Sequence, residues 1–107
     1  MEDSLLNNIN IMPPVTRIGD ADVTHCSGMV RAVGSPNVFA NNIPISRQSD
    51  VNTGHKLPAP VCPSHSAPIA KGSGTVFINN LGCGRIGDAI SGCTSVAAGS
   101  PNVFAGG

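Results

Sequence analysis

Short runs of Val, Ile, Phe and Ala alternate along this chain with Gly, Pro, Asn and Ser, the residues that form turns. Thirteen glycines and nine prolines are dispersed through 107 residues. Both residue types interrupt helices and strands, so no long helix fits the pattern. We therefore predict an ordered all-β domain of short strands joined by tight turns.

The pattern occurs three times. The segment Gly-Ser-Pro-Asn-Val-Phe at residues 34–39 recurs unchanged at residues 99–104 and as Gly-Ser-Gly-Thr-Val-Phe at residues 72–77. A second marker, Arg-x-x-Asp, also occurs three times, at Arg17–Asp20, Arg47–Asp50 and Arg85–Asp88. Repetition of this kind indicates one structural unit used three times.

Each copy has the features of a β-hairpin. Asn41-Asn42 and Asn79-Asn80 supply the positive φ that two-residue hairpin turns require. A lone hairpin is marginal in water, whereas three hairpins around a pseudo-threefold axis can share a core. We predict such a core, formed by Phe39, Phe77 and Phe104 with neighbouring Val and Ile, inside a small three-sided cone.

Composition restricts both stability and function. Six basic and six acidic residues give no net charge and no basic stripe, which argues against nucleic acid as a partner. With three Phe and no Trp or Tyr the core must be small, so a metal or covalent bonds should reinforce it. Residues 1–12 lack the basic leader of a secretory signal and are predicted to be an arm. Residues 13–107 form the single domain, with an insertion at about 56–70.

Three metal-binding residue types share one position in the repeat. His25, His55 and Cys93 each lie five residues after the Asp of their copy. Around a pseudo-threefold axis these side chains would converge, as three ligands of a tetrahedral Zn²⁺ do. Either Cys62 or His65 of the insertion could be the fourth ligand. We prefer His65 and keep Cys62 as the alternative.

Other interpretations of these residues are weaker. The four cysteines could form disulfides, but without a signal peptide a reducing compartment favours thiols and metal. We interpret Cys26 and Cys83 as packing residues. The Arg and Asp of the repeats are interpreted as a structural ring of ion pairs or Arg hydrogen bonds to turns. We expect no enzyme activity, because four protein ligands leave a zinc ion no open position.

These phrases together resemble the PAAR-repeat proteins. Pro14-Val15-Thr16-Arg17 and Pro44-Ile45-Ser46-Arg47 are similar to the Pro-Ala-Ala-Arg motif. The family's Gly-Ser-Pro-Asn-Val-Phe phrase also occurs, and its Arg-Val-Gly-Asp phrase occurs with Ile in place of Val at residues 17–20 and 85–88. Both Ala are replaced in every copy, Gly82 replaces Pro in the third, and Gln48-Ser49 replaces Val-Gly in the second.

The resemblance implies a conical tip with a structural zinc held near its apex by three His and one Cys. Its base would cap the trimeric β-helical central spike of a contractile injection machine, one copy per trimer, and its point would contact a target membrane transiently. The Arg47-Gln48 variant and the insertion, which contains Cys62, favour a phage tail, and hence a virion protein made in the host cytoplasm. Because the chain stops just after the third repeat, we expect a bare tip, with separately encoded effectors as candidate partners.

Three alternatives remain. The first is the spike tip of a type VI secretion system. The second is a zinc-binding adaptor that docks effectors onto the spike protein and pierces nothing. The third is a small secreted protein held by disulfides.

Overall fold

The repeats fold into short antiparallel hairpins. A computed structural model describes residues 12–24, 28–54 and 66–107. Two hairpins are regular, and their strands are β1 (Phe39–Ala40), β2 (Ile43–Pro44), β3 (Phe77–Ile78) and β4 (Leu81–Gly82). Strand β1 pairs with β2 in the register Phe39 to Pro44, and β3 pairs with β4 in the register Phe77 to Gly82. The described ranges contain no helix, and the all-β prediction is confirmed.

The predicted hairpin turns are confirmed by the backbone. Asn41 and Asn42 have φ of 58° and 65°, and Asn79 and Asn80 have φ of 54° and 67°. Two successive positive φ values define the turn whose twist matches that of paired strands. Asn tolerates this conformation better than most residues do. The Asn-Asn dipeptides therefore set both hairpin registers.

The third hairpin is closed by the two ends of the described chain. Phe104 forms a β-bridge with Pro14, in the place that Pro44 takes opposite Phe39. Val15 N donates to Val103 O at 2.9 Å. The segment that precedes the first Arg-x-x-Asp motif is therefore the second strand of the last repeat.

A closed ring of backbone hydrogen bonds joins the three copies. Thr16 N donates to Gly84 O, Gly84 N to Ser46 O, and Ser46 N to Thr16 O, each at 2.9 Å. All three residues are buried. A Cβ on Gly84 would lie 2.7 Å from Ser46 O and 2.7 Å from Ile69 Cδ1, so a larger residue does not fit there.

The core beside this ring consists of small residues from all three copies. Its buried members are Val15, Ala40, Ile45, Ile78, Cys83 and Ala105. Cys83 is fully buried at the position that Val15 and Ile45 take in the other copies, which confirms it as a packing residue. Burial raises the pKa of its thiol to about 11.

The prediction that the three phenylalanines form this core is wrong. Phe39, Phe77 and Phe104 are 54%, 58% and 49% exposed. In the first hairpin the next residue, Ala40, points inward and is 2% exposed. Side chains alternate between the two faces of a strand, and near the ring only small side chains fit. The large rings therefore face outward.

A second hydrophobic core is separate from the first. It contains Ala67, Ile69, Ile90 and Val96. Ile69 connects the two regions, since its Cδ1 approaches Gly84 and its backbone bridges to both Gln48 and Ile90. The end of the predicted insertion, residues 66–70, thus belongs to the folded body.

Candidate functional site

Each Arg-x-x-Asp motif forms a tight turn held by its own ion pair. In the first copy Arg17 Nε and Asp20 Oδ2 are 2.9 Å apart, and Asp20 Oδ2 also accepts the Arg17 backbone N–H at 2.9 Å. The second and third copies repeat this geometry, with ion pairs of 2.8 Å and 2.9 Å at Arg47–Asp50 and Arg85–Asp88. Hydrogen bonding to Asp20 raises the pKa of Arg17, as Asp50 does for Arg47.

The second turn keeps this shape without glycine. The other two copies place Gly19 and Gly87 before the Asp, with φ of 91° and 92°. Ser49 takes their position with φ of 78°. This left-handed conformation is unfavourable for a residue with a Cβ. The turn therefore forms despite its sequence.

Each arginine also fastens the hairpin turn of another copy. Arg17 Nη1 donates to Asn41 Oδ1 at 3.1 Å, and Arg47 Nη1 donates to Asn79 Oδ1 at 3.0 Å. In the third copy Arg85 Nη1 donates to the backbone oxygen of Gly106 at 3.0 Å. The structural interpretation of these arginines is confirmed, with two amide side chains and one carbonyl as acceptors.

The serine of each Gly-Ser-Pro-Asn or Gly-Ser-Gly-Thr turn binds the same acceptors. Ser100 Oγ lies 2.6 Å from Asn41 Oδ1, and Ser35 Oγ lies 2.7 Å from Asn79 Oδ1. Ser73 Oγ donates to Gly106 O. Every copy is thus tied to both others by polar contacts.

Of the predicted metal ligands, only Cys93 lies within the described residues. His25, His55, His65 and the alternative ligand Cys62 lie outside them. Among the described residues no three His, Cys, Asp or Glu side chains are grouped as a metal site. Cys93 follows the turn at Gly92, which has φ of 60°, and its side chain packs against the second core.

Described residues that flank the predicted ligands, here called the stems of the ligand segments, are joined to one another by backbone hydrogen bonds. Val23 N, two residues before His25, donates to Ser95 O, two residues after Cys93, at 2.8 Å. Thr53 N, two residues before His55, donates to Val30 O at 2.8 Å. These bonds bring together the stems of three segments that carry predicted ligands.

The fourth segment is joined in the same way. Ala67 O, two residues after His65, accepts a hydrogen bond from Asn52 N at 3.2 Å. Pro68 O accepts one from Ser91 N, two residues before Cys93, at 2.9 Å. The stems of all four predicted ligand segments therefore meet, and their donor types, imidazole and thiolate, suit Zn²⁺.

Beneath these stems lies a buried polar cluster that sequence reasoning missed. The side chains of Asp22 and Arg31 are both 0% exposed, and Arg31 Nη1 lies 3.3 Å from Asp22 Oδ2. Arg31 Nη2 donates to Asp50 O at 2.9 Å, while its Nε has no partner among the described residues. Burial lowers the pKa of Arg31. In the sequence these two charges flank a loop and look like solvated residues.

Asn52 and Cys93 complete this cluster. Asn52 is 1% exposed and donates through Nδ2 to Asp22 Oδ2 at 3.1 Å. Burial raises the pKa of Cys93, and the Asn52 side chain opposes the rise. The polar cluster thus reaches the one predicted ligand that the structure describes.

No curated protein matches the chain. In the described ranges no helix has the length and apolar character to span a membrane. The family model described as "PAAR motif" matches residues 19–91, which is more than half of the chain. This range includes two of the three Arg-x-x-Asp turns in full and both regular hairpins. The chain therefore belongs to the PAAR motif family.

Proposed function

We propose that this protein is the membrane-piercing tip of a contractile injection machine, and that it caps the machine's trimeric central spike with one copy per trimer. Membership of the PAAR motif family supports a spike-tip type of protein. The observation that carries the proposal further is the exposure of Phe39, Phe77 and Phe104, which are equivalent residues of the three copies. One chain thereby offers three similar apolar contacts, as a partner with threefold symmetry requires.

The chemistry of such a partner suits these contacts. The blunt end of a β-helix has unpaired strand edges and apolar side chains, which favour aggregation unless they are covered. Phe rings provide large apolar contacts, and the nearby Asn41 and Asn79 provide polar groups at their margin. Arg17 and Arg47 hold these asparagines, so the surface is formed before the partner arrives.

Binding to the spike tests this proposal. The purified tip and spike trimer are mixed and analysed by size-exclusion chromatography with light scattering, and we expect one tip per trimer. A triple Phe→Ser variant at positions 39, 77 and 104 should abolish binding yet unfold at nearly the same urea concentration, because these rings are exposed. Val23→Ser, which changes another exposed apolar residue, is the matched control and should bind normally. Normal binding by the triple variant, or three tips per trimer, would contradict the proposal.

We also propose a structural zinc ion bound by His25, His55, His65 and Cys93, with Cys62 as the alternative to His65. The shared repeat position of His25, His55 and Cys93 supports this, as do the hydrogen bonds between the stems of the ligand segments. When bound, the ion cross-links those segments. Binding that occurs only in the folded state adds to folding stability.

Metal analysis of the purified protein tests the zinc centre. We expect one zinc per chain, and among alanine variants of the five candidate ligands four should lose the ion and one should keep it. Retention of zinc by a Cys93→Ala variant would exclude Cys93. A hydrolytic activity abolished by this substitution alone would count against a purely structural role.

We further propose that the machine is a phage tail and that the protein is carried in the virion. The support is the resemblance described above, namely Arg47-Gln48 in the second copy and the insertion that contains Cys62. Mass spectrometry of purified phage particles should then detect the protein at one copy per tail. Absence from the particles, together with release that depends on a type VI secretion sheath, would assign it to that system instead.

A further inference from the structure

We propose that the surface that carries the three exposed Phe rings recognises its partner through two side-chain amides. Asn37 and Asn102 would donate hydrogen bonds to unpaired backbone oxygens at the blunt end of the spike. This inference rests on the proposed function and adds polar contacts to the apolar ones. The two asparagines are equivalent residues of the first and third hairpins, both are exposed, and each lies two residues before an exposed Phe.

The orientation of the Asn102 amide follows from an arginine. A guanidinium only donates hydrogen bonds, so the atom of Asn41 that Arg17 Nη1 contacts at 3.1 Å is the carbonyl oxygen. The other end of that amide, Asn41 Nδ2, donates to Asn102 Oδ1 at 2.8 Å. Asn102 Nδ2 therefore faces away from this contact, and it makes no hydrogen bond within the described part of the chain.

The junction between the first and second hairpins repeats this relay. Arg47 Nη1 donates to Asn79 Oδ1 at 3.0 Å, and Asn79 Nδ2 donates to Asn37 Oδ1 at 2.9 Å. Ser35 Oγ also lies 2.7 Å from Asn79 Oδ1, and since this hydroxyl accepts two backbone N–H groups, its own hydrogen is available to that oxygen. Both relays thus begin at an arginine and end in an outward amide NH2 group. Hydrogen bonds in a chain polarise one another, which strengthens the last donor.

The third junction ends in an acceptor instead. Arg85 Nη1 donates to the backbone oxygen of Gly106 at 3.0 Å. Thr75, which corresponds to Asn37 and Asn102, lies 3.3 Å from the same oxygen and donates its hydroxyl hydrogen to it. That hydrogen is therefore engaged, and Thr75 offers a partner only its oxygen. The described surface thus has three similar apolar contacts but two outward amide donors.

Outward donors beside apolar rings select a partner that presents hydrogen-bond acceptors. The end of a trimeric β-helix has unpaired backbone C=O groups close to apolar side chains, and it has them once per protomer. A neutral amide donates to such an oxygen at a smaller desolvation cost than a Lys or Arg side chain would incur. Two spike protomers would then be hydrogen-bonded through Asn37 and Asn102, and the third would be held by its apolar contact.

The affinity of single variants for the spike trimer, measured by titration calorimetry, tests the inference. Asn37→Asp and Asn102→Asp keep the oxygen that ends the relay, but they replace the outward donor by a negatively charged acceptor. We expect each variant to bind about 10-fold more weakly than the unmodified protein. Asn37→Ala and Asn102→Ala remove the donor without adding charge and should each bind about fivefold more weakly.

The third junction provides the matched controls. Thr75→Val removes a hydroxyl that offers the partner no donor, so spike affinity should stay within about twofold. Thr75→Asn is the sharper control, because the neighbouring group is the carbonyl of Gly106. The introduced amide would donate inward to this carbonyl and turn its own oxygen outward. The variant should therefore bind no more tightly than the unmodified protein, and a gain in affinity would contradict the assigned polarity.

The outcomes separate this inference from the proposed function. If the unmodified protein binds the spike and the triple Phe→Ser variant does not, normal binding by both Asp variants refutes the amide contacts alone. If an Asp variant fails to fold, normal binding by the corresponding Ala variant refutes them equally. Failure of the unmodified protein to bind the spike refutes both proposals. Self-association of the tip that the Asp substitutions abolish would assign the donors to a second copy of the chain and overturn the inference.

Discussion

The buried ion pair between Asp22 and Arg31 provides the strictest test of this structure. Both side chains are 0% exposed and the closest charged atoms are 3.3 Å apart. At an effective dielectric constant of about 20 this separation corresponds to roughly 5 kcal/mol of attraction, much of it offset by desolvation. Removing one partner of such a pair leaves an uncompensated buried charge and costs about 3–5 kcal/mol.

We therefore expect Arg31→Met to lower the free energy of unfolding by about 3–5 kcal/mol, and Asp22→Asn to lower it by a similar amount. The double variant should lose less than either single variant, because it buries no unpaired charge. Urea unfolding of all four proteins gives the coupling energy. Lys71→Met removes one exposed charge and controls for net charge, with an expected change within about 0.5 kcal/mol. Strictly additive losses would refute a coupled buried pair.

Four further predictions each concern one residue. Thr16→Val should raise the free energy of unfolding by about 1 kcal/mol, because the buried Thr16 Oγ1 has no hydrogen-bond partner among the described residues. Ser46→Ala should lower it by about 1 kcal/mol, because Ser46 Oγ donates a hydrogen bond to the backbone oxygen of Val33 at 2.8 Å. Ser49→Gly should raise the free energy of unfolding, measured in urea, by up to about 1 kcal/mol, because glycine adopts the left-handed φ of this position without strain. The gain is reduced by the backbone entropy that glycine loses on folding. Burial raises the pKa of the Cys83 thiol from 9.0 to about 11, so the thiol ionises at lower pH in the unfolded chain than in the folded one. The free energy of unfolding should therefore fall by roughly 2–3 kcal/mol between pH 9 and 11. Cys83→Ala should lack that fall in unfolding curves recorded across this range, and equal slopes for both proteins would contradict the assignment.

Much of the fold could be predicted because the repeats contain their own turn residues. Asn41-Asn42 and Asn79-Asn80 tolerate the positive φ that two-residue hairpin turns require, and the Arg-x-x-Asp motif closes its own ion pair within four residues. Interactions this local depend little on the rest of the chain. Three copies at similar spacing then indicated one shared arrangement. The hairpins, their registers and the role of Cys83 follow from these features.

The direction of the phenylalanines could not be predicted in the same way. A strand of two residues has no alternation from which to assign faces, so Phe39 and Ala40 were equally good candidates for the core. The space near the backbone ring decides between them, and that space exists only after the three copies meet. Hydrophobicity alone predicted the wrong burial for these residues, because the largest apolar side chains of the repeats lie on the surface.

The polar cluster below the ligand segments was beyond sequence reasoning for a related reason. Asp22 and Arg31 flank one loop and Asn52 lies far from both in sequence, and nothing in their spacing indicates that they meet or that they are buried. The repeat pattern predicted which residues of the candidate site occupy equivalent positions in the three copies. It did not indicate the buried residues that pack beneath them.

Closure of the third hairpin by the chain's two ends explains an irregularity of the repeats. The first two hairpins present an asparagine side chain to the arginine and serine of other copies, whereas the third presents the backbone oxygen of Gly106. A continuous two-residue turn fixes an asparagine at that point, but a hairpin built from separate segments has no such turn. A backbone oxygen serves there because it needs no particular side chain. The polar contact between copies is thus made three times, although only two of the described hairpins are continuous.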